Sequence, residues 1–319
     1  MPGGQKSSPG WSYAVRIARH ASGKEVAVSF GTSWEKVFHS VEYVVQWGLK
    51  NRDLSGITAI GVDEIHWHKG HKYLSLVYQI NEGCIRLLWI GKERTEKSFS
   101  NFFDSMGEER ISKIEFICSD MWKPYLKVIR ERAGSALNIL DRFHIVARLN
   151  KALDEVRAGE HRTMKQDGYE PLLTKSRWLL LKRSENLTES QEVKLGELLK
   201  YNLKSIRAYL LKEDFQNFWQ YTSSVWAGKF LDQWTTRVMR SQIAPLKREA
   251  KTLRKHKKLI LNWFKAKKVL SSGVVEGLNT KVKLTVRKAY GFRTFKCAEI
   301  ALYHVLGKLP EPNLAHRFY

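Results

Sequence analysis

The chain has 319 residues, a hydrophobic share of 43% and a formal charge of +23, from 55 Lys and Arg against 32 Asp and Glu. The hydrophobic share excludes a disordered polymer, and the three widely spaced cysteines exclude a disulfide scaffold and a zinc ribbon within this chain. The positive charge indicates a polyanionic partner, most simply nucleic acid, although a basic protein without such a partner is the alternative. No apolar run approaches the ~20 residues of a membrane span, so we expect a cytoplasmic protein that has no membrane partner.

The N-terminal region predicts a leader followed by helices. Residues 1–11 are rich in Gly, Pro and Ser, and we expect them to be disordered. Residues 12–52 carry apolar periodicity on both sides of Gly31, and Thr32 with Glu35 matches a capping box at the start of the second helix. A helix, a glycine-containing turn and a capped helix give the outline of a helix-turn-helix, which an ordinary pair of helices shares.

Residues 53–145 change to the period of β-strands. Three β-rich runs form a meander, and two further runs alternate with helices; the runs are ITAIGVD, KYLSLVYQI, CIRLLWI, KIEFICSD and SALNILD. This order predicts an α/β fold with a ribonuclease-H-like mixed sheet flanked by helices. The histidines that follow the first run, His66, His68 and His71, have no cysteine partners, and we expect them in a loop rather than on zinc.

Helical patterns replace strands in the second half of the chain. Residues 146–266 predict a large all-α insertion, in which Thr188 caps a helix with Gln191 three residues later. Residues 267–319 are predicted to complete the α/β fold with a basic helix, a closing helix and an extended tail.

Two acidic residues follow predicted strands. Asp63 and Glu64 end the run ITAIGVDE, and Asp120 ends IEFICSD. Strand side chains alternate between faces, so only one of Asp63 and Glu64 points into a site, and we choose Asp63. A turn residue at Asp63 and a helix N-cap at Asp120 are the alternatives. Open α/β sheets place ligand sites at the carboxyl ends of strands, which favours a functional role for both aspartates.

Glu276 begins the late basic helix. At helical spacing it shares a face with Asn279, Lys283 and Arg287, while apolar residues occupy another face. A carboxylate followed by an amide and two cations suits a metal ion at one end and a phosphate backbone along the rest; a solvated face is the alternative. Residues 240–296 contain 17 Lys or Arg and two acidic residues, which predicts salt-sensitive binding of phosphates.

The candidate site residues therefore form three groups. The predicted catalytic and metal-binding residues are Asp63, Asp120 and Glu276. The predicted DNA-binding residues are Asn279, Lys281, Lys283, Arg287, Lys288 and Arg293 of the late helix region, and Ser33, Trp34 and Lys36 of the helix-turn-helix. The candidates for supporting the metal ligands are Glu64, Asp141 and His144, with a packing role as the alternative for His144.

Seven stretches in order carry a family resemblance over most of the chain: GVDEIHWHKGHKY, CSDMWKPYLKVI, LDRFHIV, RWLLLKRSENLT, RAYLLKEDFQNFW, SSGVVEGLNTKVK and RKAYGFRT. Together they closely resemble bacterial insertion-sequence transposases of the DDE type, in the ISL-three family. The resemblance implies that Asp63, Asp120 and Glu276 are the DDE triad. It also implies binding to terminal inverted repeats and target DNA, a nucleoid setting, and assembly on DNA as a homodimer or larger oligomer.

The implied chemistry is metal-dependent strand cleavage followed by strand transfer. Two Mg²⁺ ions, for which Mn²⁺ can substitute, would activate the attacking oxygen and stabilise the leaving one. Family members usually begin with a cysteine-rich zinc ribbon that this sequence does not carry, so we expect either a shortened copy or a start further upstream. The remaining alternatives are a catalytically silent DNA-binding copy and a structure-specific nuclease on the same fold.

Overall fold

The computed structural model describes residues 9–68, 72–169, 172–266 and 273–312. The chain divides into two compact units, of which the first combines residues 1–137 with 272–319 and the second comprises residues 138–271. The first unit is therefore built from two segments that are distant in sequence.

The first unit is organised around a mixed β-sheet with the strand order β3-β2-β1-β4-β5. The strands are β1 Ala59–His68, β2 Lys72–Asn81, β3 Cys84–Lys92, β4 Phe116–Ser119 and β5 Leu137–Leu140, and the boundary between the units falls within β5. β1 pairs antiparallel with β2 and parallel with β4. The predicted mixed sheet is confirmed.

The helices of the first unit come from both of its segments. They are α1 Pro9–Ile17, α2 Gly23–Ser29, α3 Trp34–Asn51, α4 Glu96–Met106, α5 Glu108–Ile111, α6 Lys123–Arg132, α14 Gly273–Lys288 and α15 Phe295–Leu306. Among them, α4 and α6 bury Phe99, Phe102 and Tyr125 against Ile60 of β1. Each large apolar side chain buried in this way contributes roughly 1.5–3 kcal/mol, so this aromatic cluster anchors the sheet on one side.

The first predicted strand is longer than expected. Its pairing with β2 continues past Asp63 as far as His68, so Asp63 lies in the middle of β1 rather than at its end. His66 and His68 are strand residues, which corrects the loop prediction, and His71 lies outside the described residues. The polar residues in this half of β1 interrupt the apolar pattern by which a strand is recognised in a sequence. The backbone hydrogen bonds between the strands do not depend on those side chains.

The N-terminal helices differ from the prediction at their caps. The Ser33 hydroxyl accepts from the Lys36 N–H and caps α3, so the predicted box of Thr32 and Glu35 is wrong. A complete capping box instead starts α2, where Ser22 and Glu25 satisfy each other's backbone N–H groups. Of the predicted leader, residues 1–8 lie outside the described part and the rest belongs to α1.

The second unit is helical throughout its described residues after β5. Its helices are α7 Arg142–Gln166, α8 Arg177–Leu181, α9 Glu189–Leu198, α10 Lys204–Gln216, α11 Ser224–Arg240, α12 Ala244–Lys255 and α13 Lys257–Lys265. Phe215, Phe218 and Trp234 are fully buried in its core. The predicted capping pair at α9 is confirmed, because the Gln191 side chain accepts from the Thr188 N–H.

In the described part of the chain, no helix combines the length and the apolar character needed to cross a bilayer.

Candidate active site

The two faces of β1 carry different chemistry. Ile60 and Val62 belong to the aromatic cluster with α4 and α6, so Glu64, two residues on, faces that side. Gly61 and Asp63 face α14. A Cβ atom added to Gly61 would lie 2.4 Å from Val275 Cγ2, so a glycine here lets α14 approach the strand closely.

Asp63 is held by a chain of hydrogen bonds on the α14 face. The Asn279 amide donates to Asp63 Oδ2, and the Asp63 Oδ1 atom accepts from the Glu64 N–H at 2.8 Å. The Tyr78 hydroxyl donates to Asn279 Oδ1 at 2.7 Å. Burial, and then the charge of Asp63, raise the pKa of Tyr78 well above its usual value. The hydroxyl therefore keeps its proton, and its bond fixes the Asn279 amide with the NH₂ toward Asp63.

Glu64 and Asp120 meet at one guanidinium on the opposite face. Arg94 Nη2 lies 2.7 Å from Glu64 Oε1 and 3.3 Å from Asp120 Oδ2. The Arg94 guanidinium also stacks over the Trp122 ring, with its carbon 4.2 Å from the centroid. The Asp120 Oδ1 atom accepts from the Trp122 N–H at 2.8 Å. A planar, always-charged group suits this position because it can bind two carboxylates and an aromatic face together.

The Glu64 carboxyl is an unusual acid. Burial, and then the charge of Asp120, raise the pKa of Glu64 to about 8, although Arg94 acts in the opposite direction. Its Oε2 atom is buried and has no hydrogen-bond partner among the described residues. Arg94 thus forms ion pairs with two carboxylates. Burial of the Glu64 carboxyl disfavours its charged form, and its pKa is therefore raised.

Asp120 follows β4 in register with Asp63. The parallel pairing joins Ile60 to Ile117 and Gly61 to Cys118, a constant offset of 57 residues (118 − 61). If the same offset is continued two residues beyond this pairing, Asp120 aligns with Asp63 (120 − 63 = 57), although Asp120 itself lies after the end of β4. The alignment brings the two backbones near each other, whereas the Asp120 side chain contacts Arg94 on the Glu64 side.

Glu276 lies on α14, one helical turn before Asn279, and is exposed. The hydrogen bond from Asn279 to Asp63 therefore brings the Glu276 helix directly onto β1. Within the described ranges, no three His, Cys, Asp or Glu side chains are gathered as a ready-made metal site. The predicted triad is thus distributed over adjacent elements: Asp63 on β1, Asp120 after β4, and Glu276 on α14.

The predicted DNA-binding residues separate into two classes. Asn279 is only 6% exposed and is occupied by Asp63 and Tyr78, which corrects its assignment to DNA. It lies four residues after Val275 and three before Val282, and therefore on the packed face of α14. The exposed residues are Lys281, Lys283, Arg287, Lys288, Arg293, Ser33, Trp34 and Lys36.

Asp141 and His144 belong to the second unit. The Asp141 carboxylate caps α7 by accepting from the Phe143 N–H at 2.6 Å, and His144 Nε2 lies 3.7 Å from Asp141 Oδ2. The N-cap accounts for this aspartate locally. A supporting role of either residue in metal binding stays a prediction.

Two residues that contact the candidate site were not predicted from the sequence. Arg94 lies between β3 and α4, where no periodicity singles it out, and Tyr78 is an ordinary aromatic residue of β2. Both act through contacts across the fold, 26 residues from Arg94 to Asp120 and 201 from Tyr78 to Asn279. Only Asn279 carried a usable signal, through its spacing from Val275.

Comparison with known proteins places this geometry in a family. The family model of ISL3-type DDE transposases, described as "Transposase", matches residues 60–302. The transposase for insertion sequence element IS1001 of Bordetella parapertussis is 29% identical over 280 residues, which cover 87% of this chain and 68% of that protein. The transposase for IS1557 of Mycobacterium tuberculosis is 30% identical over 263 residues, which cover 75% of this chain and 58% of that protein.

The chain belongs to the ISL3 family of DDE transposases. This is the same family that the sequence motifs resemble. It spans roughly three-fifths to two-thirds of the length of these two relatives. The family match begins at β1 and ends in α15, so it includes the sheet, the second unit and α14.

Proposed function

We propose that this protein is a DNA transposase that binds the ends of an insertion sequence and catalyses metal-dependent strand cleavage and strand transfer. The observation that carries the proposal is the hydrogen bond from Asn279 to Asp63, because it joins the helix of Glu276 to the strand of the first aspartate. The parallel pairing of β1 with β4 supports including Asp120, because it follows the last paired residue of β4, Cys118, by two positions.

The donor chemistry fits a hard divalent cation. Asp63, Asp120 and Glu276 offer only carboxylate oxygens, which are the ligands that Mg²⁺ prefers, and Mn²⁺ accepts the same set. Bound there, two ions would supply a Lewis acid for the scissile phosphate and lower the pKa of an attacking water. Family membership supports the use of divalent metal ions, and their number and identity belong to the proposal.

The chain's own residues prepare these ligands. Asn279, oriented by Tyr78, keeps one oxygen of Asp63 fixed and leaves α14 close to β1. Arg94 neutralises part of the negative charge beside Asp120 and limits its side-chain rotation by stacking on Trp122. A carboxylate held in this way loses little conformational entropy when it binds a cation. Contacts that fix the ligands in advance therefore favour metal binding.

DNA would be held by exposed cations and by the N-terminal helices. On and after α14, Lys283, Arg287 and Arg293 are exposed, and they form no ion pair within the described part of the chain. Such residues position the phosphate backbone without reading bases. The pair α2 and α3, joined through Gly31 at φ 59°, is proposed as the helix-turn-helix that recognises the terminal repeats.

The test is cleavage and strand transfer with the purified chain. The substrate is labelled DNA carrying the sequences that flank the gene, incubated with Mg²⁺ or with EDTA, and pre-nicked ends test joining alone. We expect metal-dependent nicking at the end, followed by joined product, from an assembly of at least two chains. Asp120→Asn should abolish cleavage and retain DNA binding, because it removes one ligand charge and weakens the ion pair with Arg94, while an amide oxygen can still accept from the Trp122 N–H.

The other outcomes distinguish the alternatives. Cleavage without joining on pre-nicked ends would indicate a structure-specific nuclease. Binding without cleavage in Mg²⁺ would indicate a catalytically silent copy that occupies transposon ends. Retained cleavage by Asp120→Asn would remove Asp120 from the triad.

A further inference from the structure

The second residue after the basic helix α14 has a fully exposed aromatic side chain. Tyr290 follows the end of α14, and it is 99% exposed, the highest value among the exposed large hydrophobic residues described. The next most exposed of that group is Val28, at 76%. An aromatic ring with no protein surface against it is costly in water, and it indicates a contact made elsewhere.

The backbone holds this ring outward in a strained conformation. Tyr290 has φ 51° and Gly291 has φ 89°, so both residues adopt the left-handed region. The Gly291 N–H donates to the Val286 carbonyl at 2.9 Å and the Tyr290 N–H to the Arg287 carbonyl at 3.0 Å, which closes the end of the helix. Glycine or asparagine ordinarily occupies such a position, because a Cβ-bearing aromatic residue there costs free energy. Strain of this kind is often retained for a function.

The surroundings of the ring are positively charged. Residues 281–293 contain five cations and no acidic residue. Lys283 precedes the ring by two helical turns and Arg287 by one, and Arg293 follows it; all three cations are exposed. A ring surrounded by cations suits a ligand that combines phosphates with aromatic faces, which is the description of a nucleic acid.

We propose that Tyr290 is a stacking platform for an unpaired base of the DNA that the basic helix binds. This inference rests on the proposed function, because it assumes that DNA lies along α14. Bases inside an intact duplex are already stacked, so the ring can engage only a base that is single-stranded, frayed or displaced at a strand end. The cations would hold the adjoining phosphates, and the fixed backbone would present the ring at low entropic cost.

The experiment compares two DNA probes that differ only at one end. The first is a short duplex with a single-stranded extension that carries the fluorescent base 2-aminopurine, and the second is the same duplex with the extension paired. Affinity and fluorescence are measured with the full chain and with the variants Tyr290→Phe, Tyr290→Asn and Lys283→Ala. Asparagine tolerates the left-handed backbone and lacks the ring, so Tyr290→Asn should unfold at no lower temperature than the wild type.

We expect the wild type to prefer the extended probe and to quench its fluorescence, and Tyr290→Phe to behave in the same way. Tyr290→Asn should lose about 5- to 150-fold in affinity for the extended probe and leave that for the paired probe unchanged. Lys283→Ala should weaken binding to both probes and reduce the salt slope by about 0.9.

Four results would overturn the inference. If Tyr290→Asn lost the same affinity for both probes, the ring would belong to the protein surface that binds duplex DNA in general. A change in self-association by light scattering, with unchanged DNA affinity, would assign the ring to a second protein chain. A wild type that binds paired and extended probes equally would remove the platform and leave the proposed function standing, whereas a wild type that binds neither would overturn both.

Discussion

Asp63 and Glu64 are consecutive residues of β1, but their side chains lie on opposite faces of the sheet and have different partners. Asp63 receives neutral donors, the Asn279 amide and a backbone N–H, and lies beside the helix that carries Glu276. Glu64 receives a guanidinium that it shares with Asp120, and burial raises its pKa to about 8. Neutral donors of this kind orient a carboxylate through its oxygens, whereas Glu64 is paired with a guanidinium. The comparison shows that two neighbouring positions of β1 meet different partners on the two faces of the sheet, and it supports our proposal of Asp63 as the metal ligand.

The largest expected effect separates the two acids by catalysis. Asp63→Asn should reduce strand cleavage by about a thousandfold or more, since a lost metal ligand removes several kcal/mol of transition-state stabilisation. Glu64→Gln should reduce it by no more than about tenfold, because its neutral side chain resembles the protonated acid. Cleavage rates on end-bearing DNA at saturating Mg²⁺ measure both. The reverse ranking would transfer the catalytic role to Glu64.

The second effect concerns the shared arginine. Arg94→Ala should lower the free energy of unfolding by about 2–3 kcal/mol, less than for a fully buried pair because the Arg94 side chain is 28% exposed. Arg94→Lys, the matched control, keeps the charge but loses the planar stack on Trp122 and should fall between. Urea unfolding monitored by tryptophan fluorescence gives these values. An Arg94→Ala protein as stable as the wild type would show that the network contributes nothing to folding.

The third effect is a pH dependence from Glu64. Its pKa is raised on folding, so between pH 5 and 7 the folded state binds more protons than the unfolded chain, and stability falls as pH rises. One such group accounts for a loss of about 2 kcal/mol over this window. Thermal unfolding in EDTA at several pH values measures it for the wild type and for Glu64→Gln. Identical pH profiles for the two proteins would contradict the prediction.

The smallest effect tests the hydrogen-bond chain on the α14 face. Tyr78→Phe should cost about 1 kcal/mol, because Asn279 Oδ1 loses its buried donor. Combining it with Asn279→Ala in a double-mutant cycle should give a coupling energy of about 0.5–1 kcal/mol. Tyr78→Phe should also slow cleavage severalfold, since the Asn279 amide is then less well oriented toward Asp63. Additive effects of the two substitutions would show that the contacts are independent.

Much of the fold was predictable because its signals are local. Alternating and helical patterns identified the five strands and the helical second half. The second half of β1 was not predictable, because Asp63, Glu64 and His66 interrupt the apolar pattern while backbone pairing with β2 continues. The predicted N-cap of α3 was Thr32, one residue before the observed N-cap Ser33, because both residues have a hydroxyl that can cap a helix.

The candidate site was predictable in its acids and unpredictable in their partners. Carboxylates after apolar runs are visible in a sequence, and so is a lone acid that begins a basic helix. Arg94 and Tyr78 are defined only by contacts between elements distant in the chain. The error at Asn279 has a different cause, because its spacing from Val275 already placed it on the packed side of α14.

The construction of the first unit from two separate segments has a consequence for biosynthesis. When a ribosome has made β1 to β4, the face of β1 that carries Gly61 and Asp63 still lacks α14, because residues 138–271 must be translated first. At about 5–20 residues per second, translation of these residues lasts roughly 7–27 s. A nascent chain therefore contains Asp63 and Asp120 before the helix of Glu276 has been made, so the proposed triad is complete only late in translation. Premature termination within the helical unit should give a fragment that cannot cut DNA.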